Sequence, residues 1–274
     1  MELGGKAPLI ACADCDVERT ARGIVAGGFT NSGQVCISVE RVYAHRDVYD
    51  KLVDRVVELT TALKAGDPAT EFCDIGGITF EDQIRVAEAH IADAKKRGAT
   101  IRCGGNRRAG AKQAFEPTIV SDCSHECTVM REEIFGPIVP IMKVSSEEEA
   151  LAHANDSHLG LNAYVYTEDS VRARRLAERI EAGSVVVNEV LINGAITEAP
   201  FGGIKESGFG RVFGPEGLRA MCNVKHLCLE RMKMPAKNPM AFPYTEKGYK
   251  WFEKTLRALY TSGGIFKRLS ELFG

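Results

Sequence analysis

An α/β domain built on a largely parallel sheet is the fold class this sequence predicts, on three observations. Strand-like and helix-like stretches alternate along most of the chain, the order that βαβ units impose. The helical stretches repeat their apolar residues at helical spacing, and the strand-like ones are short apolar runs. The composition is 45% hydrophobic and 26% charged over 274 residues. That is an ordinary globular balance on a chain long enough for a full core.

The elements follow in order. Arg41–Ala44 reads as a short strand. Asp47–Lys64 places Tyr49, Leu52, Val53, Val56 and Leu63 on one helical face, and Gly66-Asp67-Pro68 stops it. Glu81–Arg97 does the same with Ile84, Ala87, Ile91 and Ala94, with Gly98 as its C-terminal cap. Val139–Val144 is a strand. Ser146 with Glu149 forms a capping box that opens the next helix. Ala163–Tyr166 is a strand, Val171–Glu181 a helix ended by Gly183, and Ser184–Asn188 a buried strand. There is no internal repeat and no low-complexity segment.

The composition shifts near Met232. Pro235, Pro239 and Pro243 predict a stiff linker. The tail beyond is amphipathic: Tyr249, Phe252, Leu256 and Leu259 share a face bordered by Lys247, Lys250, Lys254 and Arg257. Ile265, Leu269 and Leu272 continue the pattern beside Lys267 and Arg268. This is the pattern of a helix lying in a membrane interface, or of one packed on its own domain or a partner subunit.

The formal net charge of −2 implies no nucleic-acid partner. The nine cysteines are odd in number and scattered, so a reducing compartment is expected rather than a disulfide framework. Cys12-x-x-Cys15 needs two further ligands to hold a metal, and no matching pair stands out. The first residues are polar and glycine-rich, unlike a secretory signal, and no apolar stretch approaches the ~20 residues that span a bilayer.

The segment "NSGQVCIS", Asn31 to Ser38, sets Cys36 among small, flexible residues. Such a turn can present a sulfur and its own backbone N–H to a cavity. A cysteine nucleophile acting on a carbonyl needs an oxyanion donor, a base and an acceptor for what leaves. Glu2, in "MELGGKAP", is a carboxylate beside glycines that allow close approach to a ligand.

"MELGGK" and "GQVC", a few dozen residues apart, together with "EEIFGP" at Glu132–Pro137 and "PFGGIKESGFGR" at Pro200–Arg211, resemble the aldehyde dehydrogenase superfamily. Four motifs in the correct order are very specific. The resemblance runs from Met1 to about Arg231. It implies a Rossmann-like catalytic domain of the aldehyde dehydrogenase fold over residues 1–217, a return segment and oligomerisation strand over 218–234, and a linker and helical tail over 235–274. By the same resemblance Cys36 is the nucleophile and Glu2 the general base, suited to that task if partial burial raises its pKa. Glu133 would hold the nicotinamide-side ribose of NAD or NADP, Phe135 would pack near the nicotinamide, and Phe201 would line the substrate funnel. The glycines of Gly202-Gly203 and Gly208 to Gly210 would shape turns near the site.

The family pattern begins upstream of "ELGGK". The resemblance therefore implies a fragment or truncated gene product that lacks most of the dinucleotide-binding domain, the oxyanion-hole asparagine and the lysine near the adenosine ribose. The implied activity is oxidation of a small-molecule aldehyde to an acid by NAD(P), through a thiohemiacetal and thioester on Cys36. The alternatives are a non-catalytic partner of full-length relatives, pairing through a strand near Val224–Glu230, and a cofactor-independent esterase using Cys36 and Glu2. A homo-oligomer, a cytoplasmic location and membrane-surface contact through the C-terminal helix complete the expectations.

Overall fold

The computed structural model describes residues 1–108, 113–229, 231, 242–262 and 264–273, the last stretch without the side chains of 269 and 271–273. The residues divide into two compact units, Met1–Asn223 and Val224–Gly274.

The first unit is organised by a seven-stranded sheet. In chain order its strands are β1 (Ala7–Ala11), β2 (Val39–His45), β3 (Thr100–Cys103), β4 (Thr118–Ser121), β5 (Ile138–Val144), β7 (Asn162–Tyr166) and β8 (Ser184–Val187). Across the sheet the order is β3-β4-β5-β2-β1-β7-β8. Every neighbouring pair is parallel except β3 with β4 at one edge. A separate two-stranded antiparallel pair joins β6 (Leu159–Gly160) to β9 (Ile204–Lys205).

The central strands are buried on both faces, the reason they read as apolar runs without alternation. Successive residues feed two cores. Ile10, Tyr43, Ala163 and Val165 pack with Ile84, Ala87 and Ile91 of α3 (Glu81–Lys96), Leu151 of α5 (Glu147–Asn155) and Leu176 of α6 (Ser170–Arg179). Leu9, Val42, Ala44 and Tyr164 pack with Ile24 of α1 (Val17–Phe29) and with Leu52, Val53 and Val56 of α2 (Arg46–Thr61). The result is a largely parallel sheet with helices packed on both faces, the α/β class the sequence predicts.

Capping follows sequence chemistry. Asp16 accepts the Arg19 N–H at the start of α1 and Ser146 accepts the Glu149 N–H at the start of α5. The Glu149 carboxylate returns to the Ser145 N–H rather than to Ser146, shifting the expected box by one residue. The C-terminal turn of α5 is held by a buried arginine. Arg41 donates to the His153 and Ala154 carbonyls at 3.1 and 2.9 Å and to the Lys6 carbonyl at 2.9 Å.

One expectation is corrected. Ser184–Asn188 is not a buried strand: β8 is the sheet's outer strand, with one neighbour and partly exposed residues. Position in the sheet, not apolarity, decides burial there. Val224–Leu229 has no ladder partner within this single chain among the described residues. Glu230 lies outside the described residues, as do Pro235 and Pro239 of the expected linker. The first compact unit ends at Asn223, shortly after α7 (Gly214–Ala220).

The second unit contains α8 (Glu246–Tyr260) and α9 (Ile265–Phe273), which pack on each other. Thr245 caps α8, its hydroxyl accepting the Gly248 N–H at 3.0 Å.

Candidate active site

Residues distant in sequence meet here for a topological reason. Glu2 precedes β1, Cys36 precedes β2, and Glu133 and Phe135 precede β5. In the sheet these strands are consecutive, β5-β2-β1, and all run the same way. Their leading loops therefore emerge side by side at the end of the sheet where these strands begin.

The Cys36 turn has an unusual backbone. Asn31, Ser32 and Gly33 lie in the left-handed region at φ 52°, 59° and 76°. A Cβ on Gly33 would run into the Gly136 carbonyl oxygen, so only glycine fits beneath the "EEIFGP" loop. Gln34 ties the turn to the segment before α3: its Oε1 accepts the Thr79 N–H at 2.9 Å and its Nε2 donates to the Gly77 carbonyl at 3.3 Å. Behind the turn, Tyr164 Oη donates to the Ile37 carbonyl at 2.6 Å. Gly5 lies against the Cys36 carbonyl oxygen, where a Cβ could not fit.

The Cys36 thiol donates to Glu2 Oε1 at 3.7 Å. Cys36 is half-buried, and burial and then the Glu2 carboxylate push its pKa up. The backbone N–H groups of Cys36 and Ile37 pull the other way. The resting sulfur is thus a thiol with a carboxylate beside it. Glu2 itself is exposed rather than partly buried, because it stands on the rim between two open cavities. Its segment is held by the "PFGGIKESGFGR" motif. Glu2 makes an antiparallel bridge with Gly208, and the Leu3 N–H donates to the Ser207 carbonyl at 3.0 Å. Ser207 Oγ accepts the Gly160 N–H at 2.9 Å and donates to the Gly4 carbonyl at 2.8 Å.

The first cavity measures about 560 Å³ and is lined by Glu2, Gly4, Cys36, Gln83, Glu133 and Phe135, among others. Glu133 accepts the Gly5 N–H on Oε1 at 2.9 Å, and burial raises its pKa. Its Oε2 takes no hydrogen bond among the described residues, which leaves an acceptor for a ligand hydroxyl. Phe135 sits at φ 48°, a costly conformation for a non-glycine residue. Glu40 imposes it, accepting the Ile134 N–H at 2.9 Å and the Phe135 N–H at 2.8 Å, while Gln83 Nε2 donates to the Ile134 carbonyl. Glu40 is paired in turn with Lys6 at 3.0 Å, both buried, and desolvation lowers the Lys6 pKa. A carboxylate with a free oxygen and an aromatic ring on one wall suit the ribose and the planar base of a nucleotide.

The second cavity, about 420 Å³, shares Glu2 and Cys36 with the first and is otherwise mostly apolar. Phe201 lines it, buried at 6% exposure and packed with Ile37, Leu161 and Phe213. All five residues singled out in the sequence thus gather around one thiol. Sequence reasoning missed Glu40, Gln34, Gln83 and Ser207. The one signal for Glu40 is a pair of charged residues, Glu40 and Arg41, inside a buried strand. Cys12 and Cys15 lie elsewhere, both buried, the first with its pKa pushed up to about 12 by burial. Among the described residues no cluster of metal-ligating side chains occurs.

The model of the family described as "Aldehyde dehydrogenase family" matches residues 1–227. The chain is 39% identical over 269 residues to the 4,4'-diapolycopene aldehyde oxidase of Methylomonas sp, covering 98% of this chain and 49% of that protein. It is 36% identical over 229 residues to the NADP(+) succinate-semialdehyde dehydrogenase GabD of Escherichia coli (strain K12), covering 84% of this chain and 47% of that one. Among solved structures, an E. coli NADP dependent enzyme matches at a TM-score of 0.80 and 36% identity, over 83% of this chain and 47% of that one. The NAD+ complex of the Bacillus cereus aldehyde dehydrogenase matches at 0.76 and 35%, over 79% and 44%. The chain spans about half the length of the curated relatives it matches.

Proposed function

The chain belongs to the aldehyde dehydrogenase family, and from that premise we propose that it carries the catalytic centre for oxidation of an aldehyde to a carboxylic acid with NAD or NADP. One observation carries the reading: the Cys36 thiol and the Glu2 carboxylate, 3.7 Å apart, form the shared wall of two cavities. A nucleophile there reaches a substrate from one side and a cofactor from the other.

In this mechanism Cys36 adds to the aldehyde carbon and the displaced thiol proton leaves to solvent through the open cavities, so Glu2 stays unprotonated for the later step. The Cys36 backbone N–H donates to no acceptor among the described residues and is available to the oxyanion of the thiohemiacetal. Glu133 would hold the ribose of the dinucleotide through its free oxygen, and Phe135 would bear on its ring. The cofactor, when bound, supplies the hydride acceptor. Glu2 then takes a proton from the water that attacks the Cys36 thioester, the thiolate leaves and the acid is released.

The proposed aldehyde is long and apolar. The second cavity is walled by Val35, Ile37, Leu191, Phe201, Val212 and Phe213. The relative whose match covers 98% of the chain is named for 4,4'-diapolycopene aldehyde. Assembly with further copies is also proposed, on the open edge of β8 and the exposed Val224, Leu227 and Leu229.

Glu2→Gln tests the mechanism. The pre-steady-state burst of NADH should survive while steady turnover falls by about 100-fold or more. A burst lost together with turnover would overturn the role of Glu2 in deacylation.

A further inference from the structure

We infer that the α8–α9 hairpin docks the protein on an anionic phospholipid surface. This does not rest on the proposed activity. Residues 242–274 hold six basic and three acidic side chains, in a chain whose formal net charge is −2.

The packing of α8 is unusual for a soluble helix. It buries its small residues, Gly248 and Ala258, and exposes its large ones. Tyr249, Leu259 and Tyr260 are 67%, 63% and 83% exposed, and Trp251, Phe252 and Leu256 are also open. Ile265 and Phe266 of α9 add 69% and 85%, and Phe242 and Tyr244, just before α8, are open as well. A helix that folded to build a core would bury the other face.

The polar face of α8 is basic. Lys250 and Arg257 are paired with Glu246 and Glu253 at 2.7 and 2.8 Å. Lys247, Lys254, Lys267 and Arg268 have no carboxylate partner among the described residues. Aromatic and aliphatic side chains on one face with unpaired lysines around them complement acyl chains and anionic headgroups together. Among the described residues no helix is long and apolar enough to cross a membrane, so the hairpin lies in the interface plane. The family model ends at residue 227, so this element is an addition to the shared domain. The match to the Methylomonas relative covers 98% of the chain and so runs on past residue 227.

Trp251 is the only tryptophan in the chain, so its fluorescence reports on this helix alone. The full chain is titrated with vesicles of phosphatidylcholine, with and without phosphatidylserine, and with lipids spin-labelled near the headgroup. The expected result is a blue shift and shallow quenching of Trp251, with partitioning about tenfold or more stronger on the anionic vesicles. Lys247→Glu with Lys254→Glu should abolish that preference while far-ultraviolet circular dichroism stays unchanged. An unchanged spectrum with anionic vesicles would overturn the proposal. So would a blue shift that grows with protein concentration without lipid, which would assign the face to a second copy.

Discussion

Lys6 and Glu40 form a buried ion pair at 3.0 Å between adjacent parallel strands, and the same carboxylate holds the Ile134 and Phe135 N–H groups. The pair joins the leading loops of β1 and β5 to the start of β2. It stands behind the site rather than in it and sets where Glu133 and Phe135 point.

Removing one member should therefore cost far more than a surface pair. Glu40→Ala leaves an ammonium and two N–H groups buried without their acceptor, and should destabilise the chain by about 3–5 kcal/mol in urea unfolding. Lys6→Met with Glu40→Leu should recover part of that loss. A double variant no better than Glu40→Ala would show that the N–H contacts, not the unpaired charge, dominate.

The Cys36 thiol is held protonated by burial and by Glu2. Glu2→Gln should accordingly lower the Cys36 pKa and speed its alkylation by iodoacetamide severalfold at pH 8, followed by peptide mapping. Cys222 and Cys228 are exposed and serve as internal references. Slower alkylation of Cys36 would mean that Glu2 activates the thiol in the resting site.

His90 on α3 is buried with Nδ1 unpartnered among the described residues, and burial followed by the Lys6 charge lowers its pKa from 6.5 to about 4. The unfolded chain takes up this proton first as the pH falls. Stability is unaffected above pH 6.5 and declines toward pH 4, by roughly 3 kcal/mol from this group. His90→Met should flatten that part of the profile, read by urea midpoints from pH 7 to 4. An unchanged slope would place the acid sensitivity elsewhere.

The long periodic helices were legible because α2 and α3 each bury one clear face. β1 escaped because "APLIA" is short and carries a proline, and α1 because "GIVAGGF" is poor in helix formers. Its glycines are there for packing, which local propensity does not register. Glu2 and Cys36 were legible as motif residues, yet their contact depends on which strands are neighbours. The role of Glu40 was illegible for the same reason: its counter-ion and both N–H partners come from distant segments.

The site draws on loops ahead of β1, β2 and β5 and on the segment around Phe201, so no local hairpin or helix can assemble any part of it early. Parallel pairings of high sequence separation form late because loop closure precedes their reward. Cys36 should stay as reactive as a free thiol throughout refolding until the middle of the sheet zips, and then become protected in the same kinetic phase that restores its hydrogen bond to Glu2. Pulsed thiol labelling at this one position is thus a clock for sheet closure.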